Sequence, residues 1–86
     1  MSKDGYFMGK RKVEITEDNL GELLATLRYN AHLNVLEAAY IGDCAASSIH
    51  KWEHNITSPQ LSTVLRLCNI YDAKLYLEYE ERRPGC

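Results

Sequence analysis

Three histidines, three cysteines and a short run of hydroxyl and ammonium donors are the side chains of this 86-residue sequence with chemistry to offer. His50 and His54 stand four apart, a spacing that puts two imidazoles on one helical face. That is half of a metal site. His32 is the only other imidazole, and no Cys-x-x-Cys pair accompanies it, so neither a metal ion nor any cofactor is expected. Cys44, Cys68 and Cys86 are odd in number and suggest reduced thiols rather than a disulfide framework. Cys44 falls near an expected helix start, a position that can lower a thiol pKa, but no base stands beside it. With no glycine-rich phosphate loop and no paired carboxylates, no catalytic residue is assigned and an enzyme is not expected. What remains is hydrogen bonding from Ala45-Ala46-Ser47-Ser48-Ile49-His50-Lys51. Lys51 can donate to guanine O6 and N7. Ser47 can donate or accept at any base, with His50 beside it, and Ala45 and Ala46 offer only methyl contacts, as to the thymine methyl.

These residues sit on the second of two short helices. Asn34 is a good N-cap for the first, expected over 35–41 and carrying the small pair Ala38-Ala39. The chain then turns at Gly42-Asp43, where aspartate tolerates the left-handed conformation. The second helix is expected over 45–53. Two short helices with a tight turn between them are the mark of a helix-turn-helix, whose second helix enters the DNA major groove.

Around this pair the pattern predicts more helix. Leu20, Leu23, Leu24 and Leu27 form an i, i+3, i+4, i+7 stripe. With Thr16 as a start and acids at 17, 18 and 22, helix 1 is expected over 17–30. Asn55 is placed for a left-handed helix end. Ser58-Pro59 is expected to open helix 4 over 59–70, with Leu61, Val64, Leu65 and Cys68 on its apolar face. Residues 73–81 change period: Leu75, Leu77 and Tyr79 alternate with Lys74, Tyr76, Glu78 and Glu80, which predicts a strand. A lone strand needs a partner, either residues 12–16 of this chain or the same strand of a second subunit. The second is favoured, because a domain this small gains from dimerisation, with Leu75, Tyr76, Leu77 and Tyr79 at the interface.

The fold class expected is therefore mainly α: four or five helices with a C-terminal β-strand paired across a dimer. Residues 1–12 are read as a flexible basic arm, 13–72 as the helix-turn-helix domain, 73–81 as the dimerising strand and 82–86 as a tail. Net charge is −2, but its placement is uneven. Residues 1–16 carry +2, residues 17–27 carry −3, residues 28–71 balance to 0 and residues 72–86 carry −1. No apolar run reaches ~18 residues and the N-terminal segment has no apolar core, so no membrane span or signal peptide is expected, and the location expected is cytoplasmic.

From Leu27 to Leu67 the sequence resembles the Cro/CI-type (Xre family) helix-turn-helix domain, a lambda-repressor-like fold. The resemblance lies in Leu27-Arg28, Leu33-Asn34, Ala39, Ser48-Ile49, Trp52-Glu53, Pro59-x-Leu61 and Leu65, and most of all in Ile49-x-x-Trp52-Glu53-x-Asn55 followed by Pro59. It implies a partly buried ion pair between Arg28 and Glu53, and a core role for Ile49 and Trp52. It implies base reading by Ala45, Ala46, Ser47, His50 and Lys51. Phosphate contacts are implied at Asn34, His54, Asn55 and Thr57, and the arm residues Lys10, Arg11 and Lys12 are expected to lie along the DNA. The added strand looks like that of the antitoxin-type subgroup, which implies a homodimer on double-stranded DNA and a toxin-type protein partner. Val35 departs from the family's usual Gln, Gly42 from a core Leu or Val, and Asp43 from the turn Gly. Ile41 or Tyr40 is expected to fill the space left at position 42, and Cys44 to fill core in place of Val.

Two functions compete on this sequence. One is a DNA-binding transcriptional repressor of phage, plasmid or toxin–antitoxin type, with control of its own gene among its expected roles. The other is a protein-interaction module or inhibitor on the same scaffold that has lost most DNA reading, which the neutral middle and Ala45-Ala46 would suit. The acidic stretch Glu78, Glu80 and Glu81 serves either a basic partner or the charge protection of a strand edge.

Overall fold

The computed structural model describes residues 9–82. Residues 1–8 of the expected arm, and residues 83–86 of the expected tail with Cys86, lie outside the described residues. Four helices follow one another: α1 Leu20–Asn30, α2 Val35–Gly42, α3 Ala46–Glu53 and α4 Leu61–Ile70. The described chain is mainly α, and it contains neither a fifth helix nor a strand. Residues 73–82 leave α4 without regular structure. The same-chain partner at 12–16 does not pair with them, so this structure gives the expected strand no ladder to complete.

Each helix is set by local chemistry. Before α1, the Thr16 N–H donates to Asn19 Oδ1 at 2.8 Å and the Asn19 N–H donates to Thr16 Oγ1 at 3.2 Å. This reciprocal cap holds a turn over 17–19, and regular helix starts at Leu20 rather than at 17. Asn34 caps α2 in the same way: its Oδ1 accepts from the Glu37 N–H at 2.8 Å, and its own N–H donates to Glu37 Oε1 at 2.9 Å.

All four helices also end alike. The N–H groups of Leu33, Cys44, Ile56 and Ala73 return to the carbonyls of Arg28, Ala39, Lys51 and Cys68 at 3.2, 3.0, 2.8 and 2.7 Å. This six-to-one bond needs one left-handed residue just before it. His32, Asp43, Asn55 and Asp72 take that place, with φ of 61, 56, 58 and 59°. None is glycine; Asn, Asp and His are the types that adopt this conformation with least strain.

The core is Leu24, Ala38, Ala39, Ile49, Leu67 and Tyr71, ringed by half-buried Leu20, Leu27, Val35, Trp52 and Ile70. Three expectations are corrected here. α4 starts at Leu61 rather than at Pro59, because Gln60 takes the extended N-cap conformation, with φ −68° and ψ 154°. Its buried face is Val64, Leu67 and Cys68, leading on to Tyr71, while Leu61 and Leu65 point outward. At Gly42, the space is not taken by Ile41 or Tyr40, which are exposed. A Cβ there would meet Ile70 Cδ1 at 3.3 Å and Leu67 Cδ2 at 3.5 Å, so α4 side chains fill the place of the missing one.

Gly21 governs how α1 meets α3. A Cβ on it would stand 2.7 Å from the Glu53 carbonyl oxygen, 2.7 Å from Asn55 Oδ1 and 2.8 Å from the Trp52 carbonyl oxygen. Two of those three atoms are backbone and cannot swing away. Gly21→Ala is therefore expected to lower stability by about 1–3 kcal/mol, even though alanine is the better helix former. Urea unfolding followed by circular dichroism measures this; an equal or higher midpoint would mean that the two helices have room to spare.

Tyr71 is buried, and its hydroxyl has no hydrogen-bond partner among the described residues. Desolvation, helped by the charge of Glu53, pushes its pKa from 10.0 up to about 12. The unfolded chain ionises this phenol first, so its contribution to stability is complete below pH 10 and is lost between pH 10 and about 12. Tyr71→Phe removes both the unpaired hydroxyl and this titration. The variant is expected to gain about 1 kcal/mol at pH 7 and to lose stability less steeply above pH 10. A lower urea midpoint at pH 7 would show that the hydroxyl has a stabilising partner.

Candidate nucleic-acid interface

α3 presents two different faces. Inward, Ile49 is buried, and Ala46 and Trp52 pack on the core. Outward lie Ser47, His50, Lys51 and, just past the helix, His54. Of the five expected base-reading residues, Ala45, Ser47, His50 and Lys51 are exposed, whereas Ala46 is half-buried against the core. Ala46 is thus a packing residue, because one turn further along its face comes buried Ile49. Ala45 is the extended N-cap of α3 and supplies no capping oxygen, so no side chain of this cap occupies the first N–H groups of the helix.

The exposed face carries one ammonium and two imidazoles. The His50 and His54 rings lie with centroids 4.2 Å apart, tilted by 38°. His54 Nδ1–H donates to the His50 carbonyl at 2.8 Å, and Nε2 makes no hydrogen bond among the described residues. The one carboxylate of α3, Glu53, is turned away from this face and buried against Arg28.

Arg28 and Glu53 meet in a bidentate pair. Arg28 Nε donates to Glu53 Oε2 at 2.7 Å and Nη2 donates to Oε1 at 2.9 Å. Only 7% and 5% of the two side chains remain exposed, so water screens the pair little. A third donor, Nη1, reaches the Leu33 carbonyl at 3.1 Å. The carboxylate hydrogen bonds hold the guanidinium in its charged form and raise its pKa, against the opposing effect of burial.

Asn55 departs from the role that the resemblance implies. Its Oδ1 accepts the Gly21 N–H at 3.2 Å, and its Nδ2 donates to the Asp18 carbonyl at 3.4 Å. The side chain therefore joins the end of α3 to the start of α1. Sequence reading saw a left-handed cap and a phosphate donor; the partners lie more than thirty positions away in the chain, which no local pattern reveals. Gly21 was missed for the same reason.

Of the other expected phosphate contacts, Asn34 uses its Oδ1 and N–H on Glu37, while its Nδ2 makes no hydrogen bond among the described residues. Glu37 thereby sets a carboxylate at the start of α2. Thr57 is exposed in the loop after α3, and Lys10, Arg11 and Lys12 are exposed ahead of α1. Cys44, beside the turn, is half-buried against the core, and desolvation pushes its thiol pKa up rather than down. It is a packing group with no activated thiolate.

Comparison with known proteins finds no family model, no curated protein and no solved structure that matches this chain. The geometry of this helix pair is the ground on which function is assigned.

Removing one member of the buried pair leaves the other charge without compensation. Glu53→Ala is expected to cost about 3–5 kcal/mol and to loosen α3 from α1. Thermal melting of the variant beside the native chain checks it, and an unaltered Tm would mean that the pair contributes nothing to the fold.

Proposed function

We propose that this chain is a sequence-specific DNA-binding transcriptional regulator, a homodimeric repressor of the Cro/CI helix-turn-helix type acting in the cytoplasm. One observation carries the reading: α3 is held by its inner face to α1 and the core, while the whole outer face, Ser47, His50, Lys51 and His54, is free of structural duties beyond the single His54–His50 bond. A short rigid helix offered in this way, after a tight turn from another helix, suits the DNA major groove.

In this reading Lys51 donates to guanine, and Ser47 and His50 read neighbouring edges, while the Ala45 methyl meets thymine. Lys10, Arg11, Lys12, Thr57 and the Asn34 amide contact the phosphate backbone on either side. Few polar groups reach base edges, so DNA shape and backbone contacts carry much of the selectivity. The tails, through Leu75, Tyr76, Leu77 and Tyr79, join two copies so that the two α3 helices address half-sites roughly 34–36 Å apart. A toxin-type protein partner belongs to the same reading, with Glu78, Glu80 and Glu81 as the surface for it.

A second reading has its own observation. Leu36 and Tyr40 of α2 are 73% and 88% exposed, an apolar display that suits a protein-interaction module. Fluorescence anisotropy against DNA from the chain's own upstream region, at two salt concentrations and beside a scrambled duplex, separates the two. Specific binding that weakens with salt is the outcome expected of the regulator. Absence of binding at low salt would transfer the assignment to protein interaction.

Lys51→Ala tests the groove assignment directly. The variant is expected to lose about 1–3 kcal/mol of affinity and to relax preference at a single base pair. A uniform loss across sequences, with the salt slope reduced by about one, would place Lys51 on a phosphate instead.

A further inference from the structure

We propose that His50 and His54 form a two-imidazole binding site for a divalent transition-metal ion of the nickel, copper or zinc class. Spacing alone puts the two residues on one helical face. The structure adds that their rings lie together, both exposed, and that the tautomer of one is fixed. His54 Nδ1 stands 2.8 Å from the His50 carbonyl oxygen. A carbonyl oxygen only accepts, so Nδ1 carries the proton and the ring's lone pair is on Nε2. Imidazoles that ligate metals are oriented in this way, their second nitrogen donating to a backbone carbonyl or a carboxylate.

The separation suits a shared ion. Two nitrogens held at about 2.0–2.1 Å from a tetrahedral ion stand roughly 3.3 Å apart. From ring centroids 4.2 Å apart, side-chain rotation of two exposed imidazoles one turn apart reaches that separation with the backbone unchanged. The pair also sits at the C-terminal end of α3, where the last carbonyls favour a cation. Lys51 is the one fixed positive charge on the same face, and its long exposed stem lets the ammonium swing clear.

No group of three or more His, Cys, Asp or Glu that could hold a metal ion exists among the described residues. The site is therefore an open one: two protein nitrogens, with the remaining positions left to water or to an outside ligand. Imidazole donors suit nickel, copper and zinc, whereas calcium and magnesium require oxygen. The proposal does not rest on DNA reading by α3.

Calorimetric titration of nickel chloride into the full chain decides it, in a buffer that does not bind metals and with the thiols kept reduced. The native chain is expected to take up one ion with a Kd in the micromolar range. His50→Gln and His54→Gln are each expected to weaken binding by at least roughly tenfold. The double variant is expected to lose little more, because the gain from linked ligands goes with the first of them. His32→Asn, which keeps a residue suited to the left-handed end of α1, is expected to bind as the native chain does. Circular dichroism without nickel checks that each variant is folded. A native Kd of millimolar or weaker, or an unchanged affinity in either single variant, would overturn the proposal. An equal loss in His32→Asn would place the ion elsewhere and overturn it as well. No DNA enters the titration, so its failure would leave the regulator reading as it stands.

Discussion

A single guanidinium organises this fold. Arg28 leaves the last turn of α1 and spends three donors on two other pieces of chain: two bonds to Glu53 at the end of α3, and one to the Leu33 carbonyl at the entry to α2. Burial makes these bonds obligatory, since either charge alone would lack compensation in a site that water scarcely reaches. The fork of the guanidinium also makes them directional, which a hydrophobic contact in the same place would not be. Next to it, the absence of a side chain at Gly21 lets the backbone at the end of α3 come to contact distance, and Asn55 closes that approach with two hydrogen bonds. The α1–α3 seam is thus polar and specific where the rest of the core is apolar. Its effect is to fix α3 in rotation, so that the face carrying Lys51 and the two imidazoles is the one left outside.

Much of this was legible in the sequence wherever information is local. The leucine stripe of α1, the Asn34 cap, the turn at Gly42-Asp43 and the left-handed Asn55 all follow from spacing and residue type within a few positions. The failures share a cause. Gly21 inside a helix reads locally as a weak helix former; only a backbone more than thirty residues away shows why it is there. Asn55 reads as a free donor until its partners at Gly21 and Asp18 are in place. Ala46 is the exception: it shares its inward face with Ile49 and Trp52, a local spacing that the base-reading expectation passed over. The space at Gly42 is filled from α4, a contact that no window around position 42 contains. The alternation in 73–81 marks a segment suited to pair, but pairing is a property of two chains, and one chain leaves it bare.

The candidate site shows the same division between local and distant information. That Ser47, His50 and Lys51 can recognise bases is a matter of residue type. That they are free to do so depends on Glu53 facing the other way, which rests on Arg28. Asn34 shows the reverse case: its side chain was read both as cap and as phosphate contact, and the capping box commits its oxygen while leaving its amide nitrogen available.

The poverty of the outer face of α3 bears on why the chain carries so much exposed apolar surface elsewhere. On the proposed reading, one ammonium, one serine hydroxyl and two imidazoles per copy offer few base contacts, and the charge of the middle of the chain sums to zero. A single copy so equipped would hold DNA weakly. Coupling two copies makes the second contact intramolecular, and effective concentration then multiplies affinity without any new base contact. A chain that reads DNA in this way would need its dimer more than one with a lysine-rich reading helix. Leu36, Tyr40, Tyr76, Leu77 and Tyr79 are exposed at a cost in water, and on the proposed reading that cost has a rationale if joining two weak readers is what makes either of them useful.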